Sequence, residues 1–324
     1  MHLTTPRTLL VGTIAVSALV LAGCSSSTPA AETTGLSVVA STNVYGSIAE
    51  SIGGDLVTVT SIIATAAQDP HSYEASAQDQ LALSKADLVI ENGGGYDPFI
   101  DTLISASSTD APVVNASEAS GLLEADHDDD ASTPSTSSGT ADGHEGHDHV
   151  EGFNEHVWYS FHGVEHVAEA IAEQLSALDA DNASTYEANL ASFTAQLETL
   201  ESDAEALQAS TAGMGVAITE PVPLYLLEAA GFTNVTPEEF SEAIEEGTDV
   251  APSVLAETLD LFDSGSIALL AYNSQTASSE TEQVRTAAED SDVPVVEFTE
   301  TMPEGADYVS WMTDNLSSIS AAVK

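Results

Sequence analysis

The 324-residue chain carries 43% apolar residues, enough for two domains with real cores and too many for wholesale disorder. Fifty-three Asp and Glu stand against four Lys and Arg, a formal charge of −49, which argues against nucleic acid or an anionic membrane surface as a partner. A cationic ligand and adaptation to salt account for that charge equally well.

The one cysteine, Cys24, excludes a disulfide framework and a thiolate metal cluster. Before it come Arg7, an apolar run over 9–20 and Leu21-Ala22-Gly23. This is the layout of a secretory signal, too short for a stable transmembrane anchor. Leu-Ala-Gly-Cys resembles the bacterial lipobox, which implies removal of residues 1–23 and lipidation of Cys24; an ordinary signal with an incidental cysteine is the alternative. Residues 24–35, rich in Ser, Thr and Ala, read as a flexible stalk holding the protein at the outer face of the cell membrane.

A first lobe is expected over 36–180. It opens with a strand over 36–40 and a helix over 44–52 stopped by Gly53 and Gly54. Strands over 56–63, 87–91 and 112–115 follow, with helices over 78–84 and 96–105. Such alternation predicts βα units around a mostly parallel sheet.

The pattern breaks at 124–150, which holds eight acids, seven Ser or Thr and four histidines, with Val150 the one large apolar residue. That composition cannot bury enough surface to fold alone, so a disordered loop is expected. His127, His144, His147 and His149 among these carboxylates suit capture of zinc and its neighbours, against the plainer reading of a solvated acidic insertion.

After a helix over 164–175, Tyr186, Leu190, Phe193, Leu197, Leu200, Ala204 and Leu207 recur at alternating spacings of four and three. One amphipathic helix of roughly 40 Å is predicted, within a linker over 181–211. No Lys or Arg flanks the repeat, which favours a strut between lobes over a coiled-coil dimer. A second α/β lobe is expected over 212–324, with strands over 215–219, 266–272 and 293–298 and helices over 223–230 and 280–288.

Two further histidines have informative settings. Asp69-Pro70-His71-Ser72-Tyr73-Glu74 follows a strand, and Asn154-Glu155-His156-Val157-Trp158 leads into a helix, both at ends where open α/β sheets bind ligands. His71 and His156 are therefore expected on loops facing a solvent cleft.

On these two segments, with Ala40-Ser41-Thr42 opening the loop after the first strand, 88–93, Ile218-Thr219-Glu220 and Phe298-Thr299-Glu300, the chain resembles the solute-binding lipoproteins of zinc and manganese ABC transporters. The resemblance implies two lobes joined by one rigid helix and a metal ion held by His71, His156, Glu220 and Glu300. It ranks Glu220 above Glu300, because the fourth position is normally Asp. Asn273 is a nearby oxygen that could support the ligands. The implied partners are a membrane permease, a divalent ion and lipid through Cys24, with the protein a monomer. Zn2+ is the expected ion, since imidazole suits it and zinc members commonly carry a histidine-rich insert; Mn2+ is the alternative, with iron behind it.

A metallohydrolase is the rival class, because His, His and Glu can leave a zinc position open to water. No His-Glu-x-x-His helix or Gly-x-Ser-x-Gly elbow supports it. His162 and His166, one helical turn apart, read as a surface pair or a weak auxiliary site. A lipid-anchored adhesin stiffened by metal is the third reading.

Overall fold

A computed structural model describes residues 35–68, 70–123, 150 and 152–324. The signal segment, Cys24, Asp69, His127, His144, His147 and His149 lie outside the described residues. In the first lobe β1 (Leu36–Thr42), β2 (Val57–Ile63), β3 (Leu88–Glu91) and β4 (Val113–Asn115) form a parallel sheet in the order β2-β1-β3-β4. Helices α1 (Asn43–Gly53), α2 (Ala77–Leu83), α3 (Pro98–Ser107) and α4 (Ala116–Ala119) accompany it, and α5 (Phe161–Leu178) closes the lobe. The long helix α6 (Ala183–Thr211) follows. The second lobe repeats the plan with β5 (Gly215–Ile218), β6 (Thr233–Asn234), β7 (Ile267–Asn273) and β8 (Val295–Phe298), parallel in the order β6-β5-β7-β8. Its helices are α7 (Leu224–Ala229), α8 (Glu238–Glu245), α9 (Pro252–Asp263), α10 (Ser279–Asp290) and α11 (Tyr308–Ala322).

Strand side chains alternate between faces, and this period of two divides the core. Val38 and Ala40 of β1, Val216 and Ile218 of β5, and Leu269 and Ala271 of β7 enter one central cluster shared by both lobes. Their neighbours turn outward: Val39 packs with Ile62, Val89 and Phe99, and Ala217, Leu270 and Tyr272 pack with Phe240 and Val284. Strands covered on both faces need apolar residues at nearly every position, and the unbroken run Leu88-Val89-Ile90 of β3 follows from that requirement.

The 29 residues of α6 span about 44 Å. Tyr186, Phe193, Leu197, Leu200 and Ala204 are buried in the central cluster, along the stripe that the spacing predicts. Asn189 Nδ2 donates to Ile52 O at 2.8 Å at the first lobe, and Gln208 Nε2 to Ala229 O at 2.8 Å at the second. The C-terminal helix α11 crosses back: Tyr308 N donates to Ser47 Oγ at 3.0 Å and Tyr308 Oη to Trp158 O at 2.6 Å. One continuous core with a two-ended strut leaves little freedom for a wide hinge motion.

Three details differ from the sequence reading. β1 runs through Ser41 and Thr42 directly into α1, so no loop separates them. α3 starts at Pro98, whose fixed φ suits a first helical turn, and Tyr96 is left in the preceding turn. Helices α8, α9 and α11 fill stretches that the sequence reading leaves unassigned.

Candidate metal centre

Both sheets have the strand order that places a crevice outside the carboxyl ends of their central strands, and the two crevices face one another. His71 lies between β2 and α2, Glu220 two residues past β5, and Glu300 two residues past β8. His156 precedes a short 3-10 turn, Val157–Tyr159. These four residues, with Val222, Glu245 and Thr276, line an enclosed cavity of about 20 Å³, room for one water or one ion.

The cavity is shut rather than open. His156 is fully buried and Glu220 and Glu300 are 3% exposed, which corrects the expectation of a solvent-facing His156, whereas His71 keeps partial exposure. Bonds between the lobes close it: Tyr159 Oη donates to Thr299 O at 2.7 Å, Tyr225 Oη to Asn154 O at 2.9 Å, and Asn154 Nδ2 to Pro221 O at 3.1 Å.

That last bond also fixes an imidazole. With its amide nitrogen on Pro221, Asn154 turns Oδ1 toward His156 Nδ1, 2.7 Å away. Only a protonated Nδ1 can donate there, so the neutral ring presents the Nε2 lone pair to the cavity, as a metal-binding histidine must. Tyr96 stacks edge-on to His71 and His156, with centroids 4.9 and 5.8 Å apart. It arrives through a turn in which Gly93, Gly94 and Gly95 have φ of 72°, 66° and 98°; a Cβ on Gly93 would lie 2.2 Å from Asn115. Asp97 ties the same turn by accepting from Asn92 N and Gly93 N.

His71, His156 and Glu300 each offer a ligand atom within 4.8 Å of the others. Glu220 lines the same cavity outside that trio, drawn aside by Asn273 Nδ2 and by Thr276 Oγ1 at 2.6 Å. Asn273 also donates to Glu300 Oε1 at 2.9 Å, and Tyr96 Oη to Glu300 Oε2 at 3.3 Å. Burial, then the charge of Glu300, pushes the Tyr96 hydroxyl up, so it stays a donor.

Sequence reasoning missed Glu245, the last residue of α8, whose Oε1 lies 3.7 Å from His156 Nε2. Burial above all, then the charges of Glu155, Glu220 and Glu300, raises its carboxyl far above the ordinary range. A carboxylate at a helix C-terminus also meets the negative end of the helix dipole. Two carboxylates ~5 Å apart repel by about 3 kcal/mol at an effective dielectric of about 20, so such a group must be relieved by protons or by a cation. Among the described residues no Lys or Arg lines the cavity; Arg285 is engaged with Glu289 and Glu297. His162 and His166, with rings 4.6 Å apart on α5, lie outside the cavity lining, and His166 meets Glu169.

The profile of the family described as "zinc-uptake complex component A periplasmic" matches residues 38–322. The manganese-binding lipoprotein MntA of Halalkalibacterium halodurans is 27% identical over 252 residues, covering 76% of this chain and 75% of that protein. The iron ABC transporter substrate-binding lipoprotein MtsA of Streptococcus pyogenes serotype M1 is 27% identical over 326 residues, covering 94% of each. Among solved structures, the periplasmic zinc binding protein TroA of Treponema pallidum superposes with a TM-score of 0.69 at 19% identity, covering 89% of this chain and 99% of that one.

Proposed function

The chain belongs to the periplasmic zinc-uptake component A family, and from that membership we propose that it captures a divalent first-row transition ion outside the cell and hands it to an ABC permease. The family and its relatives are solute-binding proteins rather than enzymes, so the ion is cargo. The observation that carries this reading is the meeting of His71, His156 and Glu300 donors in a closed cavity of ionic size. Glu220 completes the set by leaving Thr276 when the ion arrives, while Asn273 orients both carboxylates.

Zinc is the ion assigned first, because a site of imidazole and carboxylate binds it more tightly than manganese or iron(II). A manganese or iron reading rests on a separate observation. Glu220 and Glu300 match the two imidazoles of the cavity in number, and hard oxygen donors suit those ions. In this proposal removal of residues 1–23 and lipidation of Cys24 hold the protein, as a monomer, at the outer membrane face. His127, His144, His147 and His149 gather ions for the cleft.

Protein purified without added metal, then titrated competitively with Zn2+, Mn2+ and Fe2+, tests the proposal. One tight equivalent is expected, lost in His71→Ala and His156→Ala. A folded parent chain with no tight equivalent contradicts it.

A further inference from the structure

A second trio adjoins the first. His71, Glu155 and Glu245 also bring one ligand atom each within 4.8 Å of the others. This trio straddles a boundary: His71 lines the enclosed cavity, Glu155 lines a surface groove of about 620 Å³, and Glu245 lines both. The groove wall adds Glu238, Glu242 and Glu246 from α8 and the residue after it. Among the described residues no Lys or Arg lines either space.

Resting on the reading that the cavity receives a divalent cation, we infer that His71, Glu155 and Glu245 form a transit position through which the ion passes between groove and cavity. An ion entering a space of one water's size must shed its hydration shell, and fixed donors that replace those waters stepwise lower the barrier. His71 belongs to both trios, so the ion keeps one protein ligand while it exchanges Glu155 and Glu245 for His156 and Glu300. Glu245 Oε1, 3.7 Å from His156 Nε2, spans the second half of that exchange. The acids of the groove wall concentrate cations at its mouth, an effect that salt screens.

A transit ligand and a resident ligand have different kinetic signatures. Removing a transit ligand raises the barrier in both directions, slowing capture and release together and leaving Kd little changed. Removing a resident ligand speeds release. Stopped-flow binding of Zn2+ and of Mn2+ to the full chain, with release read by chelator challenge, separates the two. Glu155→Gln and Glu245→Gln are made singly, so that either folded variant suffices, with Glu300→Gln as the resident comparison.

Association is expected to fall about tenfold in the two transit variants, release to slow in parallel, and the salt dependence of association to weaken. Glu300→Gln should instead release faster. Unchanged rates in a folded transit variant, or faster release with unchanged association, overturns the transit position. Absence of metal binding by the parent chain overturns the reading of the cavity, and the transit position with it.

Discussion

Asn273, at the end of β7, holds Glu300, past the end of β8, through a 2.9 Å bond from its amide to Oε1. The same nitrogen donates to Glu220, so one neutral side chain keeps two carboxylates of the second lobe side by side. Asn273→Ala should lower metal affinity by roughly 10–100-fold, the usual effect of losing a partner that orients ligands. Isothermal titration of the variant, shown to be folded by circular dichroism, checks this.

The order of the two glutamates is the second prediction. The family pattern ranks Glu220 above Glu300, whereas in the structure Glu300 shares the 4.8 Å trio with the histidines and Glu220 turns to Thr276. Glu300→Gln should therefore weaken binding more than Glu220→Gln, by about tenfold, or about 1.4 kcal/mol. Competitive titration of the two variants side by side gives the ratio, and a larger loss in Glu220→Gln reverses the assignment.

Much of this was legible in the sequence, for reasons that differ by element. The stripe of α6 declares itself because its large apolar residues alternate at spacings of four and three over about three heptads, which keeps one face toward the core. Asn273 could be placed because its strand was readable and ligands gather at carboxyl ends, whereas Glu220 was placed by the family resemblance. Glu245 could not. Within Ala243-Ile244-Glu245-Glu246 nothing separates it from a solvated acid, and only the approach of α8 to the first lobe buries it. The signal for α11 was present, as Tyr308, Trp311, Met312, Leu316 and Ile319 recur at helical spacing behind the Asp307 cap. The closure of the site has no local signature, because bonds such as Tyr159 to Thr299 join residues 140 apart.

Proton linkage supplies the third prediction. An imidazole binds metal only when neutral, and its reference pKa is about 6.5. Affinity should fall as pH drops below that range, with up to two protons released per ion from His71 and His156, beside the one that the Glu245 carboxyl gives up when the cation relieves it. Calorimetry in buffers of different ionisation enthalpy counts them, and no release between about pH 5 and 6.5 would remove both histidines from the site.

A fourth prediction concerns stability away from the ion. Burial, then the charges of Asp97 and Asp101, pushes the Glu91 carboxyl up to about 7, against the bond it accepts from Asn115. The folded state thus holds a proton that the unfolded chain has released above the ordinary value of 4.5. This contribution is fully present below that value and is lost as pH rises through about 7. Glu91→Gln, which keeps the acceptor for Asn115, should raise Tm by about 2 °C above that pH and leave it unchanged in acid. Equal effects at both pH values would contradict the linkage.

The most direct measurement is anomalous diffraction at the zinc edge from crystals grown with Zn2+. The account predicts one strong peak in the enclosed cavity, about 2.0–2.2 Å from a nitrogen of His71, Nε2 of His156 and an oxygen of Glu300. A fully loaded crystal whose ion lies elsewhere, with the cavity holding only water, would contradict it.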